Sequence, residues 1–193
     1  MGARAGIGIG MRSREPRFVW LDLEMTGLDP ESCAIIEIGV IITGPDLRPI
    51  AEIERVIWQP EEVLLRMEPV VREMHTRNGL LEKVRASSTS LRVAEREVTA
   101  LVAEHCPMGE GVLAGNSIHT DRRFLFQYMP LLERYLHYRM VDVTSLKVLT
   151  RAWYPNLVEP RKPPSGHTAL ADLRSSINEL QYYRDTLFRA TPG

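Results

Sequence analysis

Phe18-Val-Trp-Leu-Asp-Leu-Glu-Met25 is apolar apart from two acids, Asp22 and Glu24. A short run apolar on both alternating sets reads as a central strand covered on both faces. Side chains two apart on a strand share a face, so Asp22 and Glu24 would stand together while Leu23 points into the opposite core. Neighbouring carboxylates repel, and burying them is costly unless a cation meets them. Taken alone, Asp-x-Glu also fits solvated acids at a strand end.

Outward from this strand, Thr26-Gly-Leu-Asp-Pro30 is a turn and residues 34–43, rich in Ile and Val, read as a second strand. Gly44-Pro-Asp46 breaks it, and 50–58 continue as a third. Three antiparallel strands joined by short turns are the economical arrangement. Helices are expected at 61–67, 69–75, 79–86 and 90–105. The last is amphipathic through Leu91, Ala94, Val98, Leu101 and Val102, with possible N-caps at 88–90. Residues 111–115 form a short buried strand, 121–128 a helix stopped near Pro130, and 139–143 a final strand leading into a helix over 144–153. Four prolines make 153–165 a loop. Residues 167–188 are a long helix with Leu170, Leu173, Ile177, Leu180 and Leu187 toward the core. The order predicts an α/β fold, one mixed five-stranded sheet flanked by α-helices. It is expected as a single domain over 18–193 behind a flexible N-terminal tail at 1–17.

The 193 residues carry 24 Lys+Arg against 25 Asp+Glu, a net charge of −1. The basic excess of a protein that tracks long nucleic acid is absent, so a nucleic-acid substrate would be short and held in a local pocket. Cys33 and Cys106 have neither metal-ligand spacing nor the density of a disulfide scaffold. No apolar run approaches the ~18 residues of a membrane span, and the opening segment lacks the apolar stretch of a signal peptide. A cytoplasmic protein with no membrane association is expected.

Three more groups join the first pair. Asp121 lies in Gly115-Asn-Ser-Ile-His-Thr-Asp-Arg-Arg-Phe124, where it opens the expected helix. An acid there also suits the helix dipole, worth ~0.3–1 kcal/mol, and His119 beside it is too short a pattern to assign. His167 and Asp172 close the set in Gly166-His-Thr-Ala-Leu-Ala-Asp172. On one continuous helix they would lie ~140° apart. If Gly166 leaves His167 in the loop before the first turn, both can face one cavity; without Asp172, a loop histidine is an ordinary surface residue. Four hard oxygen ligands and no cysteine cluster suit Mg²⁺ or Mn²⁺ rather than structural zinc. Two such ions would activate water and neutralise the leaving oxygen of a phosphodiester. His167 would be the general base, since imidazole titrates near the operating pH.

Trp20-Leu-Asp-Leu-Glu-Met-Thr-Gly-Leu-Asp-Pro30, Gly115-Asn-Ser117, Asp121-Arg-Arg-Phe-Leu-Phe126, His137-Tyr-Arg139, Asp142-Val143 with Leu146-Lys147, and the closing Gly-His…Asp form a joint pattern. It resembles the DEDD exonucleases of the His-bearing subgroup (DEDDh), on a ribonuclease-H-like fold. The closer match is to the oligoribonuclease family, over almost all of 18–188. The resemblance implies a metal-dependent 3′-to-5′ exoribonuclease that acts on very short RNA, notably dinucleotides, as a homodimer. By motif, Asp22, Glu24, Asp121 and Asp172 would bind two Mg²⁺ or Mn²⁺ ions, with His167 as base. Leu28 matches an apolar wedge beside the bases, and Tyr138 an aromatic that stacks on substrate bound by the partner subunit. Ser117, Arg139 and Thr144 match positions near the 5′ phosphate, where arginine's planar fork is suited. His75 matches a position near the 3′ end, though an ordinary polar surface residue is an equally open reading.

A proofreading-type DEDDh DNA exonuclease is the neighbouring alternative, and a non-catalytic RNA-binding module on the same fold is the alternative from another class. The Tyr138-Arg139 segment and the missing basic excess favour the first reading over the DNA enzyme, and the full set of five site residues argues against the module. For the dimer, Leu131, Leu132, Tyr135 and Tyr138 are apolar candidates that core packing explains equally well. Val70 departs from the family pattern, which carries a tryptophan there against the 3′ base. Base–aromatic stacking is worth ~1–3 kcal/mol, so Val70→Trp should tighten dinucleotide binding. Unchanged affinity in a titration would show that the pocket is built otherwise.

Overall fold

The computed structural model describes residues 15–158 and 168–188. Five strands run β1 (Phe18–Met25), β2 (Ile35–Thr43), β3 (Pro49–Val56), β4 (Val112–Gly115) and β5 (Met140–Asp142). The helices are α1 (Glu61–Leu65), α2 (Pro69–Arg77), α3 (Leu80–Ala86), α4 (Leu91–His105), α5 (Ile118–Tyr128), α6 (Pro130–Tyr135), α7 (Val143–Trp153) and α8 (Ala169–Leu187). The sheet order is β3-β2-β1-β4-β5. The first three strands are antiparallel neighbours, while β4 and β5 extend the sheet parallel to β1.

Alternation along β1 divides the core in two. Val19, Leu21 and Leu23 pack with Ala94, Val98 and Val102 of α4 and with Phe124 and Leu125 of α5. Trp20 faces the other way, into a cluster with Val143, Leu173, Ile177 and Tyr183 of α7 and α8. Asp22 and Glu24 continue the Trp20 face, so they look toward α8. A third cluster, with Ile36, Leu64, Met67, Leu80, Leu81 and Val84, lies under α1 and α3.

Parallel pairing of β1 with β4 ends at Trp20 opposite Ala114. Beyond it the chain turns away at Gly115, where a Cβ would stand 3.0 Å from the Leu21 carbonyl oxygen. The last third of β1 therefore borders a gap at the carboxyl ends of the parallel strands. Open α/β sheets bind their ligands at such points.

Several boundaries differ from the sequence expectation by one to three residues, and the differences at α5, α6 and α8 have a visible cause. Helix α5 begins at Ile118, three residues early, because Ile118 is fully buried and anchors the first turn in the core. Helix α5 stops at Tyr128, before Pro130 as expected, but Pro130 then opens a further helix, α6, at whose first position a missing N–H leaves no bond unmade. Helix α8 begins at Ala169, with the Thr168 hydroxyl capping the Ala171 N–H at 3.4 Å. His167, most of the 153–165 loop and most of the 1–17 tail lie outside the described residues. Among the described residues, no helix is long and apolar enough to cross a membrane.

Gly39, opposite Asp22 on β2, is where α8 meets the sheet most closely: a Cβ there would sit 2.7 Å from that of Ala169. Gly39→Val should overpack this contact, at about 1–3 kcal/mol, and lower the Tm by roughly 2–12 °C. A thermal melt matching the wild type would show that α8 shifts freely.

Candidate functional site

Strand β1 and helix α8 bring three carboxylates together. Ligand oxygens of Asp22, Glu24 and Asp172 lie within 4.8 Å of one another. Asp121 borders them from α5, where its Oδ1 accepts the Leu23 N–H at 3.0 Å. That amide lies on the edge of β1 that β4 no longer covers, so Asp121 completes the strand's bonding and is held against the site by it. Residues 98 positions apart in the chain are thus joined by one bond.

Among the described residues no Lys or Arg forms an ion pair with these acids, and their protonation reflects it. Burial, then the charges of Asp121, Glu24, Asp172 and Glu37, push the Asp22 carboxyl well above its usual range. Burial, then Glu37, Asp172 and Asp121, raise Glu24 from 4.5 to about 8. Burial raises Asp121 from 3.8 to about 7, against the lowering effect of its backbone hydrogen bonds. Carboxylates held this close and out of water favour protonation or a cation. Hard oxygen donors without a thiolate fit a divalent ion such as those that carboxylate sites hold, and the three facing oxygens could share one.

His75 is not the polar surface residue that its sequence position also allowed. It is fully buried, with Nε2 3.0 Å from the Met25 carbonyl oxygen and Nδ1 3.9 Å from Glu24 Oε2. A carbonyl only accepts, so Nε2 carries the proton and the bare Nδ1 faces the site. Burial lowers the His75 pKa, which keeps the ring neutral.

A second polar group forms where β4 and β5 end. Ser117 adopts a left-handed conformation, φ 51°, before the first turn of α5. Its N–H donates to Asp142 Oδ1 at 3.0 Å and Thr144 Oγ1 at 2.9 Å, and the two hydroxyls stand 3.3 Å apart. Thr144 donates to Asn116 Oδ1, and the Asn116 amide reaches Ser176 and Glu179 of α8. Lys147 closes the network on Glu179 at 2.8 Å. A non-glycine residue held at positive φ stores about 1–3 kcal/mol, which persists only where surroundings over-determine it. Asp121 lies one helical turn beyond Ser117, so α5 carries a residue of each group.

Tyr138 and Arg139 lie elsewhere within the chain. They precede β5, whose opposite end leads to Asp142 and Thr144, roughly 10 Å away at strand rise. Arg122, itself paired with Glu133, holds the His137 and Tyr138 carbonyls, and the Arg139 guanidinium lies 5.1 Å from the Tyr138 ring centroid. Tyr138 is 70% exposed. Arg139 therefore keeps company with Tyr138 and not with Ser117 and Thr144, because three residues of strand separate them. Leu28, 72% exposed, projects beside a cleft of about 850 Å³ with Arg66 and Arg123, and Val70 is 77% exposed at the start of α2. Of the dimer candidates, Leu132 is core, Tyr135 packs partly against it, and Leu131 and Tyr138 are exposed.

Sequence reasoning passed over Glu37, Asn116 and Arg122. Glu37 had a visible signal, a lone acid inside Ile35-Ile-Glu-Ile-Gly-Val-Ile-Ile42. Asn116 and Arg122 stood inside the quoted motifs, but their roles were not legible, since their partners lie on other elements.

The proton balance gives a test. Glu24 and Asp121 keep protons up to about pH 8 and about pH 7 in the ion-free folded chain, whereas an unfolded chain releases them at ordinary carboxylate values. The folded state binds more protons over that window, so stability falls as pH rises from about 4.5 to 8. Melts in a chelator should show the Tm declining across that range, and a saturating divalent ion should raise it most at the alkaline end. A flat profile would mean that the acids are not strained.

A family model described as Exonuclease (RNase_T) matches residues 19–180. The oligoribonuclease of Bordetella pertussis is 46% identical over 180 residues, spanning 93% of this chain and 99% of that protein. The oligoribonuclease of Mycobacterium sp. (strain KMS) is 50% identical over 179 residues, spanning 91% of this chain and 83% of that one. Among solved structures, exonuclease I of Methylocaldum szegediense superposes with TM-score 0.67 at 19% identity, over 89% of this chain and 41% of that one. The zinc-bound Escherichia coli ExoI–ssDNA complex superposes with TM-score 0.69 at 15% identity, over 91% of this chain and 42% of the other. The chain thus spans about two-fifths of those exonuclease I chains, and the likeness establishes the ribonuclease-H-like exonuclease fold. With that fold, a family match over most of its length and near-half identity to curated relatives, this chain belongs to the oligoribonuclease family of exonucleases.

Proposed function

We propose that this protein is a metal-dependent 3′-to-5′ exoribonuclease that hydrolyses very short RNA, dinucleotides above all, to mononucleotides. The observation that carries the reading is the meeting of Asp22, Glu24 and Asp172 within 4.8 Å, with Asp121 at their border. In it, Asp22, Glu24, Asp121 and Asp172 hold two Mg²⁺ or Mn²⁺ ions. When bound, the ions supply water activation and neutralisation of charge on the leaving oxygen. His167 takes the proton of the attacking water as general base.

The remaining residues orient the substrate. Leu28 wedges beside the bases, and His75, neutral and packed against Glu24, borders the 3′ end. The Ser117 and Thr144 hydroxyls receive the 5′ phosphate at the N-terminus of α5, whose dipole favours an anion. A phosphate held there would cap the 5′ end, and that cap and a net charge of −1 would both disfavour long chains. Tyr138, with Arg139 beside it, would serve the partner's site in a homodimer; their exposure and their distance from Ser117 support this. Two free cysteines, Cys33 and Cys106, suit the reducing cytoplasm as its location.

RNAs of graded length, incubated with and without Mn²⁺, test the reading by product analysis. Mononucleotides should appear fastest from the dinucleotide and only with the ion, and Asp121→Ala should abolish the activity while the protein stays folded. Faster turnover of a longer single DNA strand would favour the proofreading-type enzyme, and binding without cleavage would favour the RNA-binding module.

A further inference from the structure

Behind the acidic cluster, β2 and β3 carry a second set of carboxylates that face α8. Across β1 and β2, Glu37 is opposite Glu24 and Gly39 opposite Asp22; across β2 and β3, Glu54 is opposite Gly39. The gap at Gly39 lets the first turn of α8 rest on the strand, with Leu170 N only 3.2 Å from where a Cβ would stand. Glu37 Oε2 accepts the Ala169 N–H at 3.1 Å, and Glu54 Oε1 accepts the Leu170 N–H at 3.3 Å. Thr168 takes the next amide, that of Ala171. Asp172 follows directly, its N–H bonded to the Thr168 carbonyl at 3.1 Å.

Glu37 is 1% exposed, and its Oε1 has no hydrogen-bond partner among the described residues. A half-satisfied buried carboxylate beside other acids is a poor way to stabilise a fold, since an apolar side chain of like size removes the desolvation cost. Its contribution lies in placement. The Ala169 amide is one of the four that a helix start leaves without an internal partner. Glu37 ties it to the strand that also registers Glu24, three residues from the carboxylate that closes the cluster.

We propose that Glu37 is a positioning residue: its carboxylate seats the first turn of α8 on β2 and so sets Asp172 at its distance from Asp22 and Glu24. It acts through Asp172 and touches no substrate. Its consequence for turnover rests on the exoribonuclease reading; its consequence for ion binding does not.

Glu37→Leu and Glu37→Gln distinguish seating from mere filling. Glu37→Leu should fold, keep the dinucleotide KM within about threefold of the wild type, and lose about 100-fold in kcat, the scale of a misplacement of about 1 Å. Calorimetry with Mn²⁺ alone should show its affinity weakened about tenfold or more, in line with loss of a ligand's supporting partner. Glu37→Gln keeps an oxygen that accepts the Ala169 N–H and should recover most of both. Wild-type ion affinity in Glu37→Leu would overturn the proposal, as would Glu37→Gln being as damaged as Glu37→Leu. Should Glu37→Leu fail to fold, Glu37→Gln decides: near-native Mn²⁺ affinity supports the seat and its loss overturns it. A wild-type protein that binds Mn²⁺ yet cleaves no dinucleotide would sink the exoribonuclease reading, and the calorimetry would still decide the role of Glu37.

Discussion

Asp22, Glu24 and Asp172 repel one another across less than 4.8 Å, with Asp121 and Glu37 adding two acids at their edge. Burial magnifies that repulsion, because little water screens it. The chain supplies no Lys or Arg partner among its described residues, although it places Lys147 on Glu179 and Arg122 on Glu133 nearby. Cations are thus available to buried acids elsewhere in the fold and withheld here. Protons or a divalent ion would relieve that repulsion, and the surrounding elements hold the acids in place against it.

The holding is done from three directions. Strand β1 fixes Asp22 and Glu24 by pleat and register. Helix α5 fixes Asp121 through a single bond to an amide that the short β4 leaves uncovered. Helix α8 fixes Asp172 through a first turn bound by Glu37, Glu54 and Thr168. The last two devices each satisfy backbone donors that an element leaves unpaired, so completing the secondary structure and placing Asp121 and Asp172 are one event.

Burial declines away from the acids. The Ser117–Asp142–Thr144–Asn116 network is closed by hydrogen bonds and holds a strained backbone in place. Leu28, Val70 and Tyr138 are mostly exposed side chains. A hydrogen-bonded, largely buried centre with exposed apolar groups around it suits chemistry that needs fixed oxygens and recognition that stacks on bases from the surface. In the proposed reading Val70 would offer little of such stacking, and Leu28 and Tyr138 would be the apolar contacts to a base.

Much was legible in the chain alone. The β1 span was read to the residue, and the mixed sheet and the face shared by Asp22 and Glu24 also followed, because alternation and helical period are local properties. The joint motif pattern and its family resemblance marked Asp121 and Asp172 as candidates, but only packing could bring them beside β1. Tertiary structure decided that α5 starts at a buried Ile118, that Pro130 opens a helix, and that His75 is buried against Glu24. It also separated Arg139 from Ser117 and Thr144, since strand direction, invisible in spacing, puts them at opposite ends of β5. Local sequence determines which atoms can share a face. Which faces meet depends on long-range burial, and that is settled only when the whole core closes.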